Sequence, residues 1–139
     1  MRIIVQRCDK AEVRVEGNVV GKINYGMMLL VSFTYGDTEK EIDYLVNKVL
    51  NLRIFDDENG VMNKSILDIN GEILSISQFT LYANTSKGNR PSYIDALKGE
   101  DAIKLYDMFN EKLKSKIHTE TGVFGAEMKV DFINDGPIT

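Results

Sequence analysis

The chain holds one cysteine, one histidine, no surplus of positive charge and no long apolar run. A lone cysteine, Cys8, excludes an internal disulfide and reads as a small buried apolar residue. One Cys and one His are too few for the usual four-ligand zinc site, so no structural metal is expected; no cofactor is expected either. His118, placed before Thr-Glu-Thr, reads as a surface residue rather than a catalyst. The net charge of −4 is wrong for a protein that coats nucleic acid, because broad phosphate binding needs a basic face. DNA is therefore not an expected partner, whereas contact with only the end of an RNA, through a small patch, remains compatible. No stretch approaches a membrane span, and the opening apolar run soon meets Gln6, Arg7 and Asp9, too early for a secretion signal. A reducing cytoplasm is the expected setting. Internal repeats, low-complexity segments and linkers are also missing.

What is present suits one domain over residues 1–139, with 43% hydrophobic and 27% charged residues and enough chain for a core. Residues 2–8 and 11–16 alternate and predict strands. A Gly17-Asn18 pair followed by Val19–Ile23 predicts a hairpin with a tight primed turn. Met27–Phe33 is nearly all apolar, which predicts a strand buried on both faces. Thr38 with Glu41 forms a capping box ahead of Ile42, Leu45, Val46, Val49 and Leu50, one apolar helical stripe. Asp56–Gly60 lacks the spacing of a calcium loop and reads as a solvated hairpin tip. Val61-Met62 and Ser65–Leu67 read as short extended pieces. A second helix is expected from Glu100 to about Ile117, with Ala102, Tyr106, Phe109 and Leu113 inward and lysines at its C-terminus, where they suit the helix dipole. Thr121–Ala126 is a small-residue connection, and Glu127–Ile133 alternates as a closing strand.

Between these lies the stretch of most interest, Glu72 to Tyr82. Ile73, Leu74 and Ile76 predict a buried strand, taken to run over 72–81. Then Ser77, Gln78 and Thr80 bring three hydrogen-bonding side chains to its end. Unpartnered buried polar groups cost about 1–3 kcal/mol each, so these residues either find partners in the core or face a ligand. Pattern alone leaves both open. Residues 84–92 form a polar loop with Lys87 and Arg90, either a plain surface loop or one that meets a nucleotide backbone.

Ser77-Gln78-Phe79-Thr80-Leu81 resembles a signature of the D-aminoacyl-tRNA deacylase family. Asn134-Asp135-Gly136-Pro137-Ile138-Thr139 resembles its second signature, Asn-x-Gly-Pro-x-Thr. Met1–Arg7, Leu52–Phe55 and Lys87–Ser92 are also similar to family sequence, so the resemblance spans nearly the whole chain. It implies an α/β fold: a β-rich, barrel-like core of packed sheets with two main helices outside. It implies a homodimer whose active sites are shared between subunits, and the aminoacylated 3′ end of tRNA as partner. The chain stops at Thr139, where the family usually continues through a short final strand.

The motif holds no His, Asp, Glu or Lys to serve as base for Ser77 or Thr80. That suits the mechanism the resemblance implies, in which backbone N–H groups of Phe79 and Thr80 stabilise the oxyanion, supported by the Ser77 and Gln78 side chains. The ribose 2′-hydroxyl then helps activate water. Gly136-Pro137, with a cis bond and held by Arg7, is implied to wall off L-residues in the partner's site. Phe124 is a candidate for stacking on the terminal adenine. Under these expectations D-aminoacyl-tRNA is hydrolysed, together with glycine mischarged on tRNA-Ala. Two other readings are a catalytically silent dimeric module that binds the tRNA end, and a sister deacylase that clears a wrong L-amino acid. The intact motifs oppose the first. The sister group carries Pro-Gln where this chain has Ser77-Gln78, which opposes the second.

Overall fold

A computed structural model describes all of residues 1–139. The elements run β1 (Arg2–Val15), β2 (Asn18–Ile23), β3 (Gly26–Ser32), α1 (Glu39–Asn51), β4 (Phe55–Asp56), β5 (Met62–Lys64), β6 (Glu72–Ser77), a 3₁₀ turn (Phe79–Tyr82), α2 (Gly99–Lys114), β7 (Thr119–Thr121) and β8 (Lys129–Asn134). The main sheet has the order β2-β1-β3-β6-β7, with β8 on the far side of β1, and β4 and β5 form a small hairpin of their own. β3–β6 and β6–β7 are parallel, and the other pairs are antiparallel.

The two predicted opening strands are one long strand that changes partners. Residues 2–8 pair with β3, and residues 11–14 lie between β2 and β8. The sheet curls until its edges meet. A Cβ added to Gly21 on β2 would lie 2.7 Å from the Thr121 carbonyl oxygen on β7, so only glycine allows that approach. The result is a nearly closed, barrel-like sheet with two helices packed outside, a mixed α/β domain.

β3 and β6 serve two cores at once, which is why β3 reads as an unbroken apolar run. Met27, Leu29, Val31 and Ile73 face the helices, meeting Ile42, Val46 and Val49 of α1 and Tyr106, Phe109 and Leu113 of α2. Met28, Leu74 and Ile76 face the other way, onto Cys8, Ala11, Val13 and Ile23. Thr38 and Glu41 form the expected capping box at α1.

Four local expectations need correction. The first hairpin turns on Glu16-Gly17, both with positive φ (51° and 79°), because Asn18 already pairs with Val15. Ser65–Leu67 is not extended: the Asp68 carboxylate accepts the Ser65 N–H at 2.8 Å and closes a turn. The strand expected over 72–81 ends at Ser77, where the chain tightens into the 3₁₀ turn. Thr119–Thr121 is a strand that local pattern did not mark; it exists by pairing with β6, a tertiary cause.

Candidate active site

β6 leaves the sheet through one last ladder bond, from Gln78 N to Val31 O at 2.8 Å. The 3₁₀ turn then closes with Leu81 N to Gln78 O at 3.3 Å and Ala83 N to Thr80 O at 3.0 Å. Phe79 and Thr80 open that turn, so their N–H groups have no acceptor within it, and neither donates to a loop carbonyl of the chain. The Gln78 amide donates to Thr80 Oγ1 at 2.7 Å, which fixes both side chains. Arg2 secures the far end, donating to Leu81 O at 2.8 Å and stacking 4.3 Å over the Tyr82 ring.

The strand end opens on a cavity of about 580 Å³. Ser77, Gln78 and Phe79 form one wall, and Phe124, Gly125 and Ala126 form another. Gly99 and Ala102, at the start of α2, also line it. Tyr93 meets Phe79 edge to face at the rim, with ring centroids 5.2 Å apart. The lining is mostly apolar and contains no Asp, Glu, His, Lys or Arg. His118 is exposed and sits beside Ile73, at the opposite end of β6. Burial pushes the Cys8 thiol up to about 11, which keeps it protonated and unreactive at neutral pH. Nowhere do three His, Cys, Asp or Glu side chains converge to hold a metal.

A second cluster forms on the other motif. Asp135 N donates to Arg7 O at 2.9 Å, and Arg7 N donates to Ile138 O at 3.0 Å. These two bonds bracket Gly136-Pro137, whose peptide bond is cis. The buried Arg7 side chain adds a tether. Its Nη1 donates to Ile54 O at 2.9 Å and lies 3.3 Å from Asp56 Oδ1. Its Nε lies 2.8 Å from Asp135 Oδ2, an ion pair off the hydrogen-bond axis. Tyr25 donates its hydroxyl to the same Asp135 oxygen at 3.3 Å, and burial raises its phenol above the usual range.

The expected site residues therefore fall into three groups. Ser77, Gln78, Phe79 and Phe124 surround one cavity, with Thr80 bonded just behind. Arg7, Gly136 and Pro137 stand together, but none of them lines that cavity. Lys87 and Arg90 are exposed on a loop pinned by the Asn84–Ser92 bridge, one residue before Tyr93. Sequence reasoning missed Tyr93 and the start of α2, because proximity across the fold leaves no local pattern. It also missed Asp135, which occupies a variable position of the second motif.

A family model described as D-Tyr-tRNA(Tyr) deacylase matches residues 4–139. The chain belongs to this family. Among curated members, the D-aminoacyl-tRNA deacylase of Bacillus cereus (strain B4264) is 54% identical over 140 residues, covering 100% of this chain and 96% of that protein. The one from Bacillus thuringiensis (strain Al Hakam) is 53% identical with the same coverage. Among solved structures, the c-Myc DNA Unwinding Element Binding Protein superposes with TM-score 0.94 at 40% identity, over 99% of this chain and 95% of that one. A probable eukaryotic D-amino acid tRNA deacylase gives TM-score 0.83 at 18% identity, over 97% and 94%; it shares the fold. Both signatures of the deacylase family thus sit on two separate structural clusters, one at the cavity and one at Arg7.

Proposed function

We propose that the cavity receives the aminoacylated 3′ end of tRNA and that the N–H groups of Phe79 and Thr80 bind the oxyanion as the ester is hydrolysed. Membership of the family makes the chain a hydrolase acting on carboxylic ester bonds, a D-aminoacyl-tRNA deacylase. The observation that carries the mechanism is a pair of N–H groups at the open end of a 3₁₀ turn, beside a cavity without an acid or base. An aminoacyl ester is already activated, and one well-placed donor contributes about 2.7–4 kcal/mol to transition-state stabilisation. The ribose 2′-hydroxyl supplies help that no side chain here can give. Phe124 stacks on the terminal base, and Lys87 and Arg90 meet the backbone beyond it.

Selection works by exclusion. Gly136-Pro137 is exposed and away from its own chain's cavity, which suits a homodimer in which each subunit lends this segment to its partner's site. A rigid backbone wall near the α-carbon admits a D-residue or glycine and rejects an L-side chain. The enzyme proofreads chirality in the cytoplasm and clears glycine mischarged on tRNA-Ala. The test is release of D-Tyr, L-Tyr and Gly from charged tRNA by the purified protein. D-Tyr and Gly should be freed and L-Tyr retained. Preferential release of L-Tyr would assign the chain to the sister activity, and no release of any would leave a binding module.

A further inference from the structure

One carbonyl oxygen, that of Ser75, joins both working walls of the cavity. It accepts the Tyr106 hydroxyl at 2.8 Å and the Gly122 N–H at 3.2 Å. Ser75 lies two residues before Ser77, and Gly122 lies two residues before Phe124. The Tyr106 ring also packs on Phe124, with centroids 5.6 Å apart. Tyr106 therefore touches the strand that ends in the oxyanion turn through its hydroxyl, and the stacking residue through its ring.

The geometry points to Tyr106 as a positioning residue that sets the distance between the base-stacking side chain and the hydrolytic turn. This rests on the proposed use of Phe124 and the Phe79 turn. The requirement is physical: base and ester belong to one terminal nucleotide, so the two walls must hold a fixed spacing. Misplacement by about 1 Å costs on the order of 10²-fold in rate.

Three features suit the role. Tyr106 is buried on α2, and desolvation raises its phenol above the usual range, so it stays a neutral donor at working pH. Its hydroxyl also lies near the Asn110 side chain and the Ser77 backbone. Ser75 Oγ and Asn110 Oδ1 are buried without a hydrogen-bond partner, leaving the phenol as the polar link from α2 to this strand. The Gly122 end of the link is close-packed, since an added Cβ there would press on the Met128 side chain.

The test compares Tyr106→Phe with Tyr106→Leu on D-Tyr-tRNA, with Phe124→Leu as reference. Tyr106→Phe keeps the ring and loses the strut, so kcat should fall about tenfold with KM within about twofold. Tyr106→Leu also loses the ring, so KM should rise as it does in Phe124→Leu. The preference for D- over L-Tyr should not change in either, since the Arg7 cluster is untouched. A purely structural tyrosine would lower the melting temperature and leave kcat per folded site at the parental value; that result for Tyr106→Phe overturns the inference. If Phe124→Leu leaves KM unchanged while Tyr106→Phe lowers kcat, the stacking assignment fails and the link to the strand stands.

Discussion

Arg7 holds Asp135 through a 2.8 Å contact between Nε and Oδ2, and Asp135 is the residue directly before the Gly136-Pro137 bond. The bracket around that bond is therefore part backbone and part charge. The backbone bonds of Arg7 would survive most substitutions; the ion pair would not.

Asp135→Ala should remove the tether while the backbone bracket remains. Arg7 keeps Ile54 O and Asp56, so the protein should still fold. The wall would gain freedom, and the ratio of D-Tyr to L-Tyr release should fall about tenfold, corresponding to roughly 1.4 kcal/mol. Parallel assays on the two charged tRNAs measure it. An unchanged ratio would assign the bracket to the backbone alone.

Gly136→Ala should harm every substrate. Gly136 has φ near 120°, and an added Cβ would lie 2.7 Å from Ile138 Cγ1 and 2.9 Å from Ile138 N. Both features force the segment to move. Release of D-Tyr, D-Asp and Gly should all drop by about 100-fold or more, the equivalent of roughly 2.7 kcal/mol. The thermal melt should hardly change, since the segment is exposed. Loss confined to one amino acid would point to a side-chain pocket instead.

Phe79→Pro tests the oxyanion donors directly. Position 79 opens the turn, where proline is tolerated, and Gln78 lies outside the helical region (φ −147°, ψ 84°) that a following proline disfavours. The change deletes one N–H together with the rim ring, so Phe79→Ala, which loses the ring alone, is the reference, and kcat should fall about 10²–10³-fold below it. Thr80→Ala keeps both amides and removes the hydroxyl bonded by Gln78 along with the γ-methyl, so substantial activity should remain. A 2′-deoxy terminal ribose should make a poor substrate. Complete loss in a folded Thr80→Ala protein would restore the hydroxyl as nucleophile.

Shared sites predict complementation. Phe79→Pro and Gly136→Ala subunits, each nearly inactive alone, should regain about a quarter of parental activity after unfolding and refolding in equal mixture, because half the dimers then carry one intact site. Sedimentation should show a dimer throughout. A mixture no more active than its parts would place each Gly136 in its own subunit's site.

Thr38→Ala should cost about 1 kcal/mol by removing the cap of α1. The melting temperature would report it, with activity per folded site unchanged. Hydrogen bonds from Thr38 hold the Glu41 carboxyl below its usual range. Its contribution is therefore complete above the ordinary glutamate value of about 4.3 and fades as pH falls through the lowered one. The stability gap between parent and variant should narrow in acid.

The elements most legible in the sequence were those with internal logic. The capping box and stripe of α1, the apolar run of β3 and the inward face of α2 each announce themselves within a few residues. β7 could not, since three residues carry no period and its partner is far away in sequence. The site divided in the same way. Both motifs were readable, but the grouping of Ser77 with Phe124, and the absence of Gly136 from that group, depend on how the sheet curls. Tyr93 and Tyr106 looked like ordinary aromatic residues until packing gave them neighbours.

The pairing of β8 with β1 also has a consequence for biosynthesis. Ribosomes release a chain from its N-terminus, and domains begin to fold as they emerge. The strands, helix and Phe124 loop that enclose the cavity all precede Asp135–Ile138 in the sequence. Arg7 is among the first residues to emerge and waits for partners that come more than a hundred residues later. The bracket on Arg7 is therefore among the last contacts that the order of synthesis allows.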